Sequence, residues 1–431
     1  MSAQQLTDPR KDPTKDQVTA PATADTESGW HERFDASIMR SLAMPQLLLT
    51  RGDGCYVWDG DGKEYLDFLA GIAVNALGHA HPVLVDAVSR QIATLAHVSN
   101  YFATPPELEL AERLVRLTGA VDGRVFFGNS GAEANEAAFK LARLNNAGGT
   151  KPRILALNNS FHGRTMGSMA LTGKPQMREP FEPMPGGVEH IDTTIDALEA
   201  AFDEHVAALF VESIKGEAGV LDLPDGFLNR ARVLTEQYGA LLIMDEIQTG
   251  IGRTGRWFGF QHAEIVPDAI TLAKGLAGGV PIGALVTFGR ASELFSAGQH
   301  GSTFGGNPLA TAAGNAVLGE IEDAGLVQNA AVRGTELRAL IRGLNSPLIG
   351  ELRGAGLLVG IGLTQPVAGA LVAAALEHGL IVNAPNASTI RLAPPLIIGG
   401  SELAEFGRRF GAALAAVATS AHDNSLQKAP R

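Results

Sequence analysis

A lysine and an aspartate stand at the ends of two apolar runs that are typical of buried strands. Lys274 closes the run that begins at Asp268, and Asp245 closes the run Ala240–Met244. The carboxyl ends of parallel strands meet at one edge of an open α/β sheet, so the ammonium and the carboxylate can face the same crevice. This pair suits pyridoxal 5′-phosphate (PLP), because the amine can form a Schiff base and the acid can keep the pyridine nitrogen protonated.

A lysine at a strand end usually just extends into water, so the pair needs support from other motifs. Gly128–Glu133 lies between a predicted strand and a predicted helix. Ser130 and Glu133 have the spacing of a capping box, and Gly131 leaves backbone N–H groups open for a phosphate. A plain helix cap is the alternative interpretation of this motif.

The segment Asn159–Arg164 also follows a predicted strand and therefore lies at the same edge of the sheet. Phe161 could cover the face of a planar ring, and Arg164 could hold a carboxylate through two parallel hydrogen bonds. A core phenylalanine and a solvated arginine are the alternatives. The combination with Lys274 and Asp245 favours the binding roles.

The composition is that of an ordinary globular protein and leaves room for a small anionic ligand in a local pocket. The chain has 431 residues, of which 45% are hydrophobic and 19% charged, and a net charge of −12. This charge disfavours nucleic acid and anionic membranes as partners, and no apolar run reaches membrane-spanning length. The single cysteine, Cys55, and the absence of a spaced histidine set predict a reducing, cytoplasmic compartment and no bound metal.

Apolar runs alternate with helical stretches, which predicts a mostly parallel central sheet with helices on both faces and a smaller α/β domain. The predicted strands of the large sheet lie at 125–127, 154–157, 207–211, 240–244 and 269–273. The predicted helices lie at 82–95, 105–118 (with Thr104 as N-cap), 132–145, 195–205 and 226–238. Shorter strands are predicted at 47–50, 56–59, 357–363, 380–383 and 389–392.

These patterns divide the chain into predicted regions. Residues 1–28 are polar and have no apolar stretch, so we expect a disordered tail without a secretory signal. Residues 29–75 are predicted to contribute to the small domain, 76–313 to form the large cofactor-binding domain, and 314–419 to form the C-terminal small domain. Residues 420–431 are predicted to be a second disordered tail.

Four motifs resemble, in order, those of the class III, ω-amino-acid branch of the PLP-dependent aminotransferases. The motifs are Ser130–Glu136, Asp245–Gly255, Leu272–Leu276 and Gly301–Pro308. The resemblance extends from about Pro45 to about Ala415. It implies the type I fold of PLP-dependent transferases, PLP as cofactor, and a homodimer with shared active sites. Two further segments, Phe68–His79 and His97–Asn100, are most similar to the branch that acts on acetylornithine.

The resemblance also implies how individual residues bind the cofactor. Lys274 would hold it covalently and move a proton between the substrate carbon and the cofactor. Asp245 would pair with the pyridine nitrogen, Gln248 would lie near the phenolic oxygen, and Glu246 would be a further cofactor residue. Phe161 would stack on the ring.

The phosphate of the cofactor would be held at two places. Gly131 and Ala132, next to Ser130, would donate backbone N–H groups. Thr303 would reach the phosphate bound in the neighbouring subunit, so that both subunits of the dimer contribute residues to each active site.

The implied substrate residues must accept two differently shaped amines. Arg391 would bind the α-carboxylate of glutamate. Arg164 would bind its far carboxylate or the α-carboxylate of acetylornithine, which Ser302 would also contact. Acetylornithine places a methylene beside Arg391, which would leave a desolvated and uncompensated charge. Glu217 is implied to pair with Arg391 in that state and to release it for glutamate.

One segment, Val211–Glu217, departs from the family pattern. The family usually has proline at the position of Ser213 and an uncharged residue at the position of Lys215. Lys215 could pair with Glu217 and weaken the exchange of partners, or it could face solvent.

The expected reaction is ping-pong transamination between N2-acetyl-L-ornithine and 2-oxoglutarate, as in arginine biosynthesis. Another ω-aminotransferase, acting on succinyl-diaminopimelate, ornithine or 4-aminobutyrate, is the first alternative, and an amino-aldehyde isomerase is the second. A non-catalytic binding protein on the same scaffold would not need Lys274, Asp245, Arg164 and Arg391 together. A dinucleotide-binding enzyme is disfavoured because the glycine loop lacks the required spacing.

Overall fold

The computed structural model describes residues 29–120 and 122–427, with side chains to residue 419 apart from residue 147. The predicted N-terminal tail, residues 1–28, lies outside the described residues. The helices are α1 (Trp30–Ser37), α2 (Ala70–Ala73), α3 (Pro82–Thr94), α4 (Pro105–Thr118), α5 (Gly131–Leu144), α6 (Met166–Leu171), α7 (Pro175–Arg178), α8 (Ile195–Ala201), α9 (Phe227–Tyr238), α10 (Pro308–Asp323), α11 (Leu326–Gly343), α12 (Ala368–Glu377) and α13 (Gly400–Gln427).

The strands follow the same order along the chain. They are β1 (Leu49–Asp53), β2 (Tyr56–Asp59), β3 (Glu64–Asp67), β4 (Arg124–Gly128), β5 (Arg153–Leu157), β6 (Val188–Ile191), β7 (Val206–Glu212), β8 (Ile214–Lys215), β9 (Leu221–Asp222), β10 (Leu241–Asp245), β11 (Ala269–Leu272), β12 (Gly283–Thr287), β13 (Ile349–Arg353), β14 (Val359–Leu363), β15 (Leu380–Ile381), β16 (Asn383–Asn386) and β17 (Thr389–Leu392).

The chain forms two compact units. Among the described residues, the first contains residues 29–51 together with Trp58–Lys63. Within it, the Arg51 guanidinium lies 4.4 Å from the centre of the Trp58 ring. The second unit contains Gly52–Val57 and all residues from Glu64 onward, and it holds both the sheet and the cavity described below.

A seven-stranded sheet with the order β4-β12-β11-β10-β7-β5-β6 organises the second unit. β12 is antiparallel to both of its neighbours, and the other neighbouring pairs are parallel. The predicted mostly parallel sheet is therefore confirmed. The sequence pattern misses β6, a half-buried edge strand with two polar residues, and β12, which follows a loop rich in glycine.

Both faces of this sheet are apolar, which explains the continuous apolar runs in the sequence. On β10, Leu241 and Ile243 belong to the core shared with α5, whereas Leu242 and Met244 belong to the core shared with α9. The alternation follows from the two-residue period of a strand. Helices cover the two faces, as predicted for an α/β sheet.

The register of the sheet brings the polar strand ends together. Asp245 lies opposite Glu212 on β7 and opposite Thr271 on β11. Lys274 follows three residues after Thr271. The inference from sequence that Lys274 and Asp245 share one edge is therefore confirmed.

A second sheet, with the order β13-β14-β17-β16, is antiparallel. β17 carries Arg391, which lies opposite Gly360 of β14. This sheet lies within residues 314–419, which we predicted to form a small domain. The division at residue 313 stays a prediction.

The C-terminal prediction needs correction. α13 extends to Gln427, so residues 420–427 of the predicted disordered tail are helical. The helix continues because the sequence before Ser420 is rich in alanine, which has the highest helix propensity. Residues 428–431 lie outside the described residues. No helix within the described ranges combines the length and apolar composition needed to cross a bilayer.

Two segments, α4 and α2, each differ from a standard helix in one respect. α4 begins at Pro105 with Thr104 at the N-cap position, as predicted, but the Thr104 hydroxyl makes no capping bond. Although it is counted with the helices, α2 is a left-handed turn, since Ala70, Gly71, Ile72 and Ala73 all have φ between 50° and 67°. Left-handed backbone is strained for residues other than glycine.

Candidate active site

A cavity of about 400 Å³ opens at the carboxyl edge of the seven-stranded sheet. Its walls come from the ends of β4, β5, β7, β10 and β11 and from the loops that follow them. The predicted site residues that line it are Ser130, Gly131, Ala132, Phe161, Arg164, Glu217, Asp245, Gln248 and Lys274. Most of the candidate residues are therefore brought together as expected for an open α/β sheet.

Lys274 stands on the cavity wall directly after β11. Its backbone has a φ of 48°, which is strained for a residue with a side chain. Burial lowers the pKa of the Lys274 amine below its ordinary value, although the Glu217 carboxylate opposes this effect. A lowered pKa favours the neutral amine, which is the form that can act as a nucleophile or a base.

Asp245 is a buried carboxylate with three donors. Its Oδ2 accepts hydrogen bonds from His162 Nδ1 at 2.8 Å and from Asn135 Nδ2 at 2.8 Å, and its Oδ1 accepts one from Ile247 N at 3.0 Å. Burial alone would lower the pKa of His162, but the hydrogen bond to Asp245 raises it above the ordinary value. These three hydrogen bonds fix the carboxylate in one orientation.

His162 and Asn135 were missed as site residues by the sequence analysis. His162 lies between Phe161 and Arg164 in the same motif, so its position in the sequence already indicates that it lies at the site. Asn135 lies in the second turn of α5, and only the fold shows that this face of the helix reaches Asp245.

The start of α5 provides an anion-binding cradle. Ser130 Oγ accepts a hydrogen bond from Glu133 N at 3.1 Å, which confirms the predicted cap. The second bond of a capping box would run from Ser130 N to the Glu133 side chain. Instead, Glu133 Oε2 accepts a hydrogen bond from Asn129 N at 2.5 Å. The N–H groups of Gly131 and Ala132 have no intrahelical acceptor in this first turn. A Cβ at position 131 would lie 2.8 Å from Ile247 Cδ1, so a larger residue here would displace the Ile247 side chain.

Phe161 and Arg164 form the wall that follows β5. The Arg164 guanidinium lies 5.8 Å from the centre of the Phe161 ring. Phe161 N donates a hydrogen bond to Glu212 Oε2 at 3.1 Å. Burial raises the pKa of Glu212 to about 7, so this carboxyl group is partly protonated at neutral pH.

At the other end of the cavity, the lining residue Glu217 forms an ion pair with Arg391, which does not itself line the cavity. Arg391 is 1% exposed, and its Nη1 also lies 3.3 Å from Gln248 Oε1 while its Nε donates to Asn383 Oδ1 at 3.0 Å. Burial alone would raise the pKa of Glu217, but Arg391 outweighs this effect and lowers it. A Cβ at Gly216 would lie 1.9 Å from Gln248 Oε1, so glycine lets this loop approach Gln248.

Two lysines are near Glu217, Lys215 in the sequence and Lys174 in the folded structure. Lys215 is 5% exposed, and its Nζ donates to Thr193 Oγ1 at 2.8 Å and to Asn158 O at 3.3 Å. Neither predicted alternative, pairing with Glu217 or facing solvent, is therefore correct. Lys174, which the sequence analysis missed, donates from Nζ to the backbone oxygen of Glu217 at 2.8 Å. Lys174 lies in a loop segment whose pattern gave no indication of this contact.

Glu246 turns away from the cavity, contrary to the predicted cofactor role. Its side chain is fully buried and accepts hydrogen bonds from four donors, which are Ser213 Oγ, Thr249 Oγ1, Gly259 N and Phe260 N. The carboxylate therefore organises the loop that follows β10. A carboxylate with four donors is well satisfied without a ligand.

Ser302 and Thr303 do not line the cavity of their own chain. Ser302 Oγ accepts hydrogen bonds from Asn129 Nδ2 at 3.1 Å and from Gly305 N at 3.0 Å. Thr303 is exposed. Their roles toward substrate and toward the neighbouring subunit stay predictions.

Comparison with known proteins defines the class of this site. The model of the aminotransferase class-III family matches residues 38–414. The chain therefore belongs to the class-III aminotransferases.

Three individual relatives within this family are similar to the chain over most of its length. The acetylornithine aminotransferase of Streptomyces coelicolor is 51% identical over 393 residues, which cover 91% of this chain and 96% of the relative. The crystal structure of N-acetylornithine aminotransferase from Stenotrophomonas maltophilia is 36% identical with a TM-score of 0.79, covering 90% of this chain and 99% of that one. An ornithine aminotransferase from Toxoplasma gondii, with partial occupancy of PLP at its active site, is 33% identical with a TM-score of 0.86, covering 92% and 96%.

Proposed function

We propose that this chain is a PLP-dependent transaminase that exchanges the amino group between N2-acetyl-L-ornithine and 2-oxoglutarate, giving N-acetylglutamate 5-semialdehyde and glutamate. The reaction belongs to arginine biosynthesis. One observation carries the proposal: Glu217, which lines the same cavity as Lys274, is paired with the buried Arg391. This arrangement suits a site that must accept both a carboxylate and a methylene at one position.

The residues present fit PLP as the cofactor. When bound, PLP supplies an electron-accepting ring that stabilises the charge left by proton removal and stores the amino group between half-reactions. The Asp245 carboxylate, oriented by His162 and Asn135, has the charge to hold a protonated pyridine nitrogen. The N–H groups of Gly131 and Ala132 suit a phosphate, because the start of a helix carries a partial positive charge.

Lys274 and Phe161 complete the cofactor site. Lys274 Nζ would hold the cofactor through its aldehyde carbon and, once free, would move the proton at the amine-bearing carbon of the substrate. Its lowered pKa favours the neutral amine, the form that can accept this proton. Phe161 would cover one face of the ring.

Each substrate would use the two arginines differently. With glutamate, Arg391 would bind the α-carboxylate and Arg164 the far carboxylate. With acetylornithine, the reacting carbon is flanked by a methylene, so Glu217 would remain on Arg391 while Arg164 binds the α-carboxylate. An unpaired Arg391 is unfavourable because the side chain is almost fully buried.

A substrate panel tests this proposal on the purified holoenzyme. We expect the kcat/KM for acetylornithine with 2-oxoglutarate to exceed the values for ornithine, 4-aminobutyrate and succinyl-diaminopimelate by at least about 10-fold. A higher value for one of these three amines would replace the proposed substrate. Turnover of an amino aldehyde without 2-oxoglutarate would indicate an isomerase.

The proposal includes a cytoplasmic homodimer with shared active sites. Tyr101, Phe102 and Phe304 are all exposed, and exposed large aromatic side chains are frequent at contact surfaces between proteins. Phe304 directly follows Thr303, the residue expected to reach the cofactor of the neighbouring subunit. An exposed Thr303 that is absent from its own cavity is consistent with that role.

Subunit mixing tests the shared site. Lys274→Ala and Thr303→Asp should each abolish most activity, and refolding them together should restore part of it, because one of the two sites in a mixed dimer is intact. Each variant refolded alone is the control. Mixed protein without any recovery would contradict the contribution of Thr303 across the interface.

A further inference from the structure

The loop Gly216–Val220, called here the switch loop, carries Glu217 on a tight turn. The N–H groups of Gly219 and Val220 both donate to the Gly216 oxygen, at 3.3 Å and 3.2 Å. Val220 closes the turn with a φ of 54° and is completely buried. A β-branched residue is rare in this backbone region, so the surrounding packing must hold Val220 in place.

Gly360 on β14 and Gly354, which directly follows β13, make room for Val220. A Cβ at Gly360 would lie 2.8 Å from Val220 Cβ, and a Cβ at Gly354 would lie 2.7 Å from Val220 Cγ1. Real Cβ atoms do not approach so closely, so the Val220 side chain is seated directly on the backbone of β14 at Gly360.

Gly360 is also the partner of Arg391 across the sheet. The register of β14 and β17 places these two residues opposite each other. Val220 shares a small buried apolar cluster with Ala393, two residues after Arg391, and with Ile214, just before the switch loop. The contact between Val220 and Gly360 therefore connects both members of the ion pair. Glu217 is connected to it through the switch loop, and Arg391 through the pairing of β17 with β14.

We infer that Val220 is a positioning residue that sets the balance between the paired and the free state of Arg391. The inference rests on the proposed function, in which the Glu217–Arg391 pair must form for acetylornithine and open for glutamate. A loop that is anchored less firmly holds Glu217 less well against Arg391. The balance then shifts toward free Arg391, which favours substrates with a carboxylate at that position.

Two opposite changes at this contact test the inference. Val220→Ala removes part of the anchor, and Gly360→Ala pushes the anchor away from β14. Each should raise the ratio of kcat/KM for glutamate to kcat/KM for acetylornithine by about 5- to 20-fold. The double variant should shift the ratio at least as far as either single variant, because Val220→Ala keeps the Cβ atom that lies 2.8 Å from the methyl group at 360.

Gly362→Ala is the matched control. It adds the same methyl group to the same strand, but that group would lie 3.0 Å from Glu351 Cγ and has no contact with Val220 among its nearest atoms. The ratio should stay at the wild-type value. If Gly360→Ala fails to fold, Val220→Ala against this control still decides the outcome.

Glutarate binding separates this inference from the proposed function. Glutarate has both carboxylates of glutamate and no amine, so its affinity for the holoenzyme, measured by calorimetry, reports free Arg391 without turnover. We expect Val220→Ala and Gly360→Ala to bind glutarate several-fold more tightly than wild type, in the direction of Glu217→Gln.

The outcomes are distinct. Tighter glutarate binding in a protein that does not transaminate acetylornithine would support the positioning role and overturn the proposed substrate. Normal transamination by the wild type, with equal losses for both substrates and unchanged glutarate affinity in the variants, would overturn the positioning role. Unchanged affinity in a protein without transaminase activity would overturn both.

Discussion

The two ends of the active-site cavity are built on different principles. At the cofactor end, Asp245 is held by His162 and Asn135, and all three come from the seven-stranded sheet, the loop after β5 and α5. At the substrate end, Arg391 contacts Glu217 and Gln248 from elements outside its own sheet. The cofactor end has one arrangement, whereas the substrate end has partners that can exchange. Chemistry common to both half-reactions is therefore fixed, and recognition that differs between them is adjustable.

The largest loss of activity is expected from a substitution at the cofactor end. Asp245→Asn removes the negative charge that would hold the pyridine nitrogen protonated, and this contact serves both half-reactions. We expect kcat/KM to fall by roughly 10²- to 10⁴-fold for glutamate and acetylornithine alike. Steady-state kinetics with each substrate would measure the loss.

Asp192→Asn is the control for this change. Asp192 accepts a hydrogen bond from Asn158 Nδ2 at 2.7 Å on the exposed surface, so its replacement should leave both rates near wild type. A loss confined to one substrate in Asp245→Asn would contradict the assignment of a shared, fixed cofactor end.

A smaller and selective effect is expected at the substrate end. Glu217→Gln keeps the shape of the side chain but removes the charge that neutralises Arg391. The acetylornithine half-reaction should slow by roughly 10- to 100-fold, while the glutamate half-reaction stays within a few-fold of wild type. Single-turnover absorbance changes of the cofactor with each substrate alone would separate the two.

The exposed Glu351, which pairs with Arg353, supplies the control variant Glu351→Gln. This change should alter neither half-reaction. Equal slowing of both half-reactions in Glu217→Gln would show that Glu217 has no exchange role.

The smallest effect concerns stability and pH at the cofactor end. Burial raises the pKa of Glu212 from 4.5 to about 7. The folded protein then binds a proton that the unfolded chain lacks, so this group stabilises the fold below its ordinary pKa and loses that contribution as the pH rises through about 7. Glu212→Gln imitates the protonated carboxyl group and should remove this dependence.

Thermal unfolding of the holoenzyme across a pH series measures the effect. The Tm of Glu212→Gln should match wild type near pH 5, within error, and exceed it by roughly 2–5 °C above pH 8. A Tm difference that is constant with pH would exclude a buried, titrating Glu212.

The comparison also explains how far the sequence predicts the molecule. Lys274 and Asp245 were placed correctly because buried parallel strands give unmistakable apolar runs that end at one edge. Arg391 was found only through its motif, since β17 is short and belongs to a different sheet. Lys174 and Lys215 could not be placed, because their partners are groups distant in sequence. The left-handed turn at Ala70–Ala73 contains mostly residues that disfavour such backbone, so no local pattern indicates it.

Borohydride reduction of the holoenzyme tests the central claim most directly, because it fixes the cofactor to the amine that holds it. Peptide mapping by mass spectrometry would then identify that amine. We predict a single pyridoxyl adduct on Lys274, with Lys174 and Lys215 unmodified although both lie close to Glu217 or Glu212. An adduct on another lysine, or none, would contradict the account.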